Sequence, residues 1–389
     1  MRTDTREARR PLHDRTFFAG DEEDYRRLVR DFLAREVNEN LDKYVSGELS
    51  IKELHRRAAD VGVIATGVPT AYGGLGQGPL MNFILSHELS RTAGFGLLGP
   101  VLTTDNATQL IFNVASDRIK EAIAPLILEG AIQAMGLTEP DAGTNSRGIR
   151  TTARRDGDEW VIKGNKIFIS AGNYADICYV IAKTNPADEE PALSAFYVPA
   201  GTPGFTQSRV DMMGLPGRGL GEWSFTDVRV PAWHLIGNEG EALKLFSMTM
   251  ANDRVHCAGR ALGQAELALQ LTIDYTKDRI VAGGQPLFEL QNTRMQLAEM
   301  YAQLEAVNAL VKQMVDRVRT DTSTPFDAAA CKTFAQDTSA RILDGCLQLW
   351  GAQGLAEEQT ISHLYTSNRS MRILAGTSEL LKLSVASRL

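Results

Sequence analysis

The hydrophobic period changes twice along this chain, and those two changes constrain the fold more than any single motif. Near the start, Tyr25, Leu28, Val29, Phe32 and Leu33 recur at three- and four-residue intervals, the mark of a one-faced helix with Asp21 as its N-cap. Further helical stretches are expected at 51–61, ending near Gly62, at 80–91 and at 105–129. From Ala131 the period drops to two: short apolar or alternating runs at 151–155, 159–162, 177–182, 194–198 and 223–231 are separated by Gly, Asp, Asn and Pro. After Gly240 the helical period returns in long runs at 242–278, 290–319 and 325–350, with a last one beginning near Thr377. A Rossmann fold alternates strand and helix throughout, and this chain does not. The pattern predicts an α+β multidomain chain: an N-terminal α-helical domain at 20–130, a middle β-barrel or sandwich domain at 131–240, and a C-terminal four-helix bundle at 241–389.

Length agrees with several domains, since 389 residues exceed the roughly 250–300 at which one hydrophobic core stops growing. Acids outnumber bases 48 to 41 and no basic stripe stands out, which argues against nucleic acid as a partner. No apolar run approaches the roughly 18 residues of a membrane span. Cys178, Cys257, Cys331 and Cys346 are far apart, without a CxxC pair or a His at zinc-ligand spacing, so buried reduced thiols and no metal site are expected. The first ten residues mix Arg with Asp4 and Glu7 and lack the apolar stretch of a secretory signal; they read as the disordered leader of a cytoplasmic protein.

Two loops in the middle region are built to expose backbone. The first, Gly136-Leu-Thr-Glu-Pro-Asp-Ala-Gly-Thr-Asn-Ser-Arg147, is polar and non-periodic; Pro140 fixes one φ, and Gly143 permits a positive one. The second, Gly164-Asn-Lys-Ile-Phe-Ile-Ser-Ala-Gly172, follows about twenty residues on, as a turn, a short apolar run, then Ser and Gly. A glycine-rich loop at 69–76 lacks the Gly-Lys-Ser/Thr ending of a P-loop and the strand context of GxGxxG, so it is a poor nucleotide signature.

This pair of loops resembles the TEPxAGSD and GxKxWIT stretches of the acyl-CoA dehydrogenase family, and later segments repeat the resemblance in order along nearly the whole chain. The loop at 69–76 is similar to that family's PxxYGG, and 225–231 to its FxDVxVP strand. The segment from Met213 matches MGxRGSxT in length, with Pro216 and Arg218 where Arg and Ser are usual. Arg279, Gly283, Pro286, Leu287 and Gln291 resemble RxxFGxPIxxFQ, with Ala282 for the Phe and one residue inserted around Gly284. Gln348, Gly351 and Ala352 resemble the start of QxxGGxGY, and Gly376-Thr-Ser-Glu379 matches GTSE. The resemblance implies FAD as cofactor, contacted by Leu137, Thr138, Gly143, Thr144, Phe168, Ile169 and Ser170 from the middle domain, and by Thr377, Ser378 and Glu379 on the adenine side. Gln348, Gly351 and Ala352 are further implied contacts, while Arg279 and Gln291 imply contact with the flavin diphosphate of a neighbouring subunit, and so a homo-oligomer, commonly a tetramer in the family.

The implied reaction is α,β-dehydrogenation of an acyl thioester, carried by CoA or an acyl carrier protein, with electron-transfer flavoprotein or oxygen as electron acceptor. Such chemistry needs a carboxylate in a dry pocket to take the α-proton while the β-hydrogen leaves as hydride. Most members of the family place that Glu just before the GTS; here the position is Ala375. A minority place it on the first long helix of the bundle, where this chain reads Met250-Ala-Asn-Asp253-Arg254. Asp253 is the expected base and Arg254, like Thr144, an expected substrate contact. Asp253 beside an Arg would ordinarily be a solvated ion pair, but Met250 and Cys257, three before and four after it, put it on an apolar stripe. His256 is the second candidate, against a role as a core histidine. Two other readings use the same fold: a flavin monooxygenase or N-hydroxylase, which needs no such base, and a non-catalytic subunit of a hetero-oligomer.

Overall fold

A computed structural model describes residues 17–103, 106–185 and 192–389, without the side chains of residues 106, 215–219 and 249. The leader, Asp105 and the Pro216 and Arg218 side chains lie outside the described residues. Seven helices come first: α1 (Asp21–Phe32), α2 (Leu41–Ser46), α3 (Ile51–Asp60), α4 (Pro79–Ser90), α5 (Phe95–Leu102), α6 (Asn106–Val114) and α7 (Asp117–Leu128). Asp21 is the first helical residue and not the N-cap; Gly20 takes that place with φ 57°, and Asp21, Glu22, Glu23 and Asp24 set four carboxylates against the positive end of the helix dipole. α3 is capped by Ser50, whose Oγ accepts the Glu53 N–H. The helical run expected at 105–129 is broken where Ser116 caps α7. α5 was not legible from periodicity. It reads Phe-Gly-Leu-Leu-Gly-Pro-Val-Leu and is buried along nearly its whole length, so it has no polar face to set a period.

The middle strands are β1 (Gln133–Gly136), β2 (Thr152–Asp156), β3 (Glu159–Ser170), β4 (Ile177–Lys183), β5 (Leu193–Pro199), β6 (Phe205–Met212), β7 (Leu215–Pro231) and β8 (Leu235–Ile236). They follow one hydrogen-bonded path, β6-β7-β3-β2-β4-β5-β8, with β1 parallel to β4. β6, absent from the sequence expectation, is a polar end strand of the path, Phe-Thr-Gln-Ser-Arg-Val-Asp-Met, that buries only its first side chain. Aromatic rings fill the sheet core, Trp160 against Phe196 at 5.2 Å between centroids and Trp223 edge-on to Phe205 at 5.5 Å.

Five helices close the chain: α8 (Ala242–Asp278), α9 (Gln291–Arg319), α10 (Pro325–Trp350), α11 (Thr360–Met371) and α12 (Ser378–Ala386). α11 is one helix more than periodicity predicts. It docks through polar groups: Gln264 Nε2 donates to Ser367 Oγ at 2.8 Å, and Asn368 Nδ2 donates to Gln264 Oε1 and Ser339 Oγ, both at 3.0 Å. α8 is the axis of the molecule, packed on α4 at one side and α10 at the other, and a single apolar cluster runs through all three. The crossing with α4 is close because position 263 is glycine; a Cβ there would lie 2.1 Å from Ser90 Oγ.

Two of the buried histidines, His55 and His256, titrate well below their ordinary value. His55 Nδ1 donates to Gly130 O at 2.8 Å, and burial pushes the ring down to about 4. His256 Nε2 donates to Pro79 O at 3.1 Å, and burial with the nearby Arg260 charge pushes it down to about 3. Both stay neutral when folded but accept a proton near pH 6.5 when unfolded, so stability is complete above about pH 6.5 and falls as pH drops toward the folded values. For His55 the loss by pH 4 is about 3 kcal/mol. His55→Gln should flatten that part of the acid slope, read from denaturant midpoints at pH 7 and pH 5; an unchanged slope would contradict the assignment.

Candidate active site

The two polar loops of the middle domain are tied to each other by a buried ion pair. Lys166, on β3, has no exposed surface and donates to Glu139 Oε1 at 2.7 Å and to Leu137 O at 3.0 Å. Glu139 also accepts the backbone N–H groups of Arg150 and Thr151, while Ile167 N–H donates to Thr138 O at 2.9 Å. Burial pushes the Lys166 ammonium down to about 8. Burial alone would raise Glu139, but the bonds from Lys166, Thr151 and Arg150 outweigh it and hold the carboxyl below its usual range. Gly136 makes the room, since a Cβ there would meet the Trp223 ring at 2.9 Å and Lys166 Cγ at 3.2 Å. Sequence reading singled out neither Glu139 nor Lys166. The available signal was weak: Glu139 shares its loop with Asp141 and Arg147, and Lys166 is the one charged residue of the second segment.

The positive φ that Gly143 permits is not used; the left-handed backbone lies in the second loop. Gly143 is exposed and outside the left-handed region, whereas Phe168 (φ 59°) and Ala171 (φ 55°) are inside it. The register of β3 on β7 shifts between Lys166 and Ile169, and this bulge leaves the Phe168 ring 50% exposed while Ile169 stays buried. Trp223 Nε1 and Gln207 Nε2 both donate to Gly172 O, at 2.7 and 3.1 Å, and fix the end of the loop. Leu137, Thr138 and Phe168 are thus gathered at one place, with Gly143, Thr144 and Ser170 exposed on the same two loops.

A second group forms where α8, α10 and the turn before α12 meet. Lys332, fully buried on α10, donates to Gly376 O at 2.6 Å; burial lowers its pKa, and the nearby Arg254 charge lowers it as well. Burial raises the Cys257 thiol, on which Arg260, Lys332, Asp253 and Arg254 also bear. The 253–257 turn of α8 therefore sits beside the turn that carries Ala375 (φ 52°) and Gly376 (φ 95°). Asp253 is half-buried, and Arg254 donates to Pro325 O at 3.2 Å while its Nε is buried without a hydrogen-bond partner. Thr377 Oγ1 caps α12; the next hydroxyl, Ser378 Oγ, is buried with no hydrogen-bond partner, and Glu379 is exposed. His256, bonded to Pro79 O and packed on Phe83, is a core histidine joining α8 to α4.

The remaining expected residues lie at the other end of the bundle. Tyr275 of α8 stacks on Trp350 of α10 at 4.1 Å, which brings Arg279 near Gln348, Gly351 and Ala352, all exposed. The residue inserted near Gly284 is absorbed in a turn where Gly283 and Gly284 both have positive φ, and Leu287 N–H returns to Arg279 O at 2.7 Å. Gln291 opens α9 and is exposed. The helical rise puts Arg279 about 40 Å from Asp253 along α8, so one chain does not bring these two groups together.

Lys166→Met would leave Glu139 buried without a counter-charge and should destabilise the chain by about 3–5 kcal/mol in urea unfolding. Adding Glu139→Gln to that variant should recover part of the loss, because a neutral amide oxygen still accepts the Thr151 N–H.

Three family models match this chain: the acyl-CoA dehydrogenase N-terminal domain at 20–131, the middle domain at 134–228 and the C-terminal domain at 240–389. A short-chain specific acyl-CoA dehydrogenase of Megasphaera elsdenii is 31% identical over 92% of this chain and 95% of its own length. The crystal structure of an acyl-CoA dehydrogenase from Geobacillus kaustophilus superposes with a TM-score of 0.90 at 26% identity, covering 96% of this chain and 99% of that one. A glutaryl-CoA dehydrogenase from Mycobacterium smegmatis in complex with FADH2 gives a TM-score of 0.85 at 28% identity, over 96% and 95% of the two chains. The chain belongs to the acyl-CoA dehydrogenase family, oxidoreductases that act on CH–CH donors.

Proposed function

We propose that the chain is an FAD-dependent dehydrogenase of acyl thioesters in which Asp253 removes the α-proton. The observation that carries this reading is the convergence on Cys257 and Gly376: Asp253 and Arg254 share the environment of Lys332, and Lys332 holds the turn next to Ala375. A carboxylate from α8 can then serve the carbon that the usual Glu would reach from position 375. Substrate closing over such a carboxylate excludes water and raises its proton affinity toward that of the target.

The residues present fit FAD. Ser378 offers a buried hydroxyl without a partner, Phe168 presents an aromatic face, and the 137–144 and 168–170 segments border it with backbone and hydroxyl groups. The relative bound to FADH2 supports the same cofactor here. FAD bound there would accept the β-hydrogen as hydride. Phe168 and the first loop would hold its ring, Thr377, Ser378 and Glu379 its adenine side. Because about 40 Å of α8 separates Asp253 from Arg279, Arg279 and Gln291, with Gln348, Gly351 and Ala352 near Arg279, would serve the cofactor of a second copy, which supports a homo-oligomer.

Purified protein should carry FAD, and a colourless protein that cannot be reconstituted would overturn the cofactor assignment in favour of a non-catalytic subunit. Asp253→Asn keeps size and polarity but removes the proton acceptor. It should retain FAD yet reduce the flavin with acyl-CoA, under nitrogen, slower by about 10² to 10⁴. Reduction at the wild-type rate would overturn Asp253 as base.

A further inference from the structure

Arg260 stands seven residues beyond Asp253 on α8, two turns along the same stripe, and about 10 Å farther along the axis. Its guanidinium spans three helices. NH2 donates to Ser86 Oγ of α4 at 3.3 Å and to Thr103 Oγ1, just past α5, at 2.9 Å. Both acceptors are neutral hydroxyls, and Thr103 Oγ1 itself donates to Gly99 O at 2.6 Å. Nε is buried with no hydrogen-bond partner, and among the described residues no carboxylate lies within ion-pair distance.

The setting is apolar. α5 is buried almost throughout, Phe83 and Cys257 lie nearby, and the positive charge acts on His256 and Cys257. A guanidinium in such a wall loses hydration that two hydroxyls do not replace. Two arginines elsewhere in these helices are differently served: Arg91 faces the carboxylates of Glu88 and Glu266, and Arg26 faces Glu23 and Glu88. Arg260 as a whole is only half-buried, and its Nη1 is neither buried nor hydrogen-bonded among the described residues.

We infer that Arg260 determines acyl specificity by receiving a carboxylate at the far end of the acyl group, so that the substrates are monothioesters of dicarboxylic acids. The inference rests on the reading above that the α-carbon docks beside Asp253; the acyl chain then runs along α8 from Asp253 to Arg260. Its terminal carboxylate would pair with Nη1, the guanidinium nitrogen that is neither buried nor already donating to Ser86 and Thr103. The neutral hydroxyls of Ser86 and Thr103 hold the cation in place without neutralising it, which leaves its charge for the ligand.

The test is equilibrium binding to FAD-loaded Asp253→Asn, followed by calorimetry, with glutaryl-, adipyl- and suberyl-CoA against butyryl-, hexanoyl- and octanoyl-CoA. At least one dicarboxylic thioester should bind more tightly than its straight-chain counterpart, and adding Arg260→Met should shrink that preference by about 30-fold or more. Arg260→Gln, which keeps a hydrogen-bonding side chain if the Met variant folds poorly, should shrink it as well. A preference for straight-chain thioesters, or a dicarboxylic preference untouched by either variant, would overturn the inference and leave Arg260 as a strut between helices. Because the readout is binding, full-rate flavin reduction by Asp253→Asn would reject the base without touching this result.

Discussion

The Glu139–Lys166 pair is the contact on which the candidate site depends. Glu139 belongs to a polar loop that has few apolar side chains to bury, and Lys166 to the bulged end of β3 beside it. A salt bridge shut away from water, with the remaining carboxylate lone pairs filled by Arg150 and Thr151 N–H groups, fixes one loop on the other. Trp223 closes the arrangement from β7: its ring packs where Gly136 has no side chain, and its Nε1–H holds Gly172. With backbone and side chain fixed at both ends, the bulge between Lys166 and Ile169 has one way to relax, which is to push Phe168 outward.

α8 performs the complementary task in the helical part. One uninterrupted helix carries Asp253, Arg254, Cys257 and Arg260 on successive turns, then continues to Tyr275 and Arg279 at the far end. Chemistry and cofactor-facing groups are therefore spaced by helical rise and not by loop conformation. The close α4 crossing at Gly263 and the polar bonds to α11 restrain that helix from both sides.

Much of this was legible in the residues. The helix, strand, helix order follows from the two changes of period, and the family resemblance from loops whose composition admits little but exposed backbone. What escaped has a common physical cause. α5 is apolar all round, β6 is polar along most of its length, and α11 has its buried stripe of Ile361, Leu364 and Met371 interrupted by Ser367 and Asn368, so none of the three carries a clean one-sided hydrophobic pattern. Asp21 is not the N-cap because the helix starts one residue earlier than expected, with Gly20 in the cap position at positive φ and Asp21 already in the first turn. In the site, residue types identified the loops but not what joins them. Glu139 and Lys166 are 27 positions apart, and only strand register brings them together.

The positive φ angles at Phe168, Ala171 and Ala375 carry a consequence for how this protein can drift. A β-branched side chain is an outlier in the left-handed region, so Val, Ile and Thr are closed to these positions whatever the space around them. Glycine would relax the backbone, but at 168 it would erase the ring, and at each position it would enlarge the freedom of the unfolded chain. Neutral change at these three positions is therefore confined to unbranched side chains. A lineage altering its substrate has more room to do so on α4, α5 and α8, where the backbone is ordinary helix and only the close approaches at Gly96, Gly99, Gly259 and Gly263 are closed to side chains.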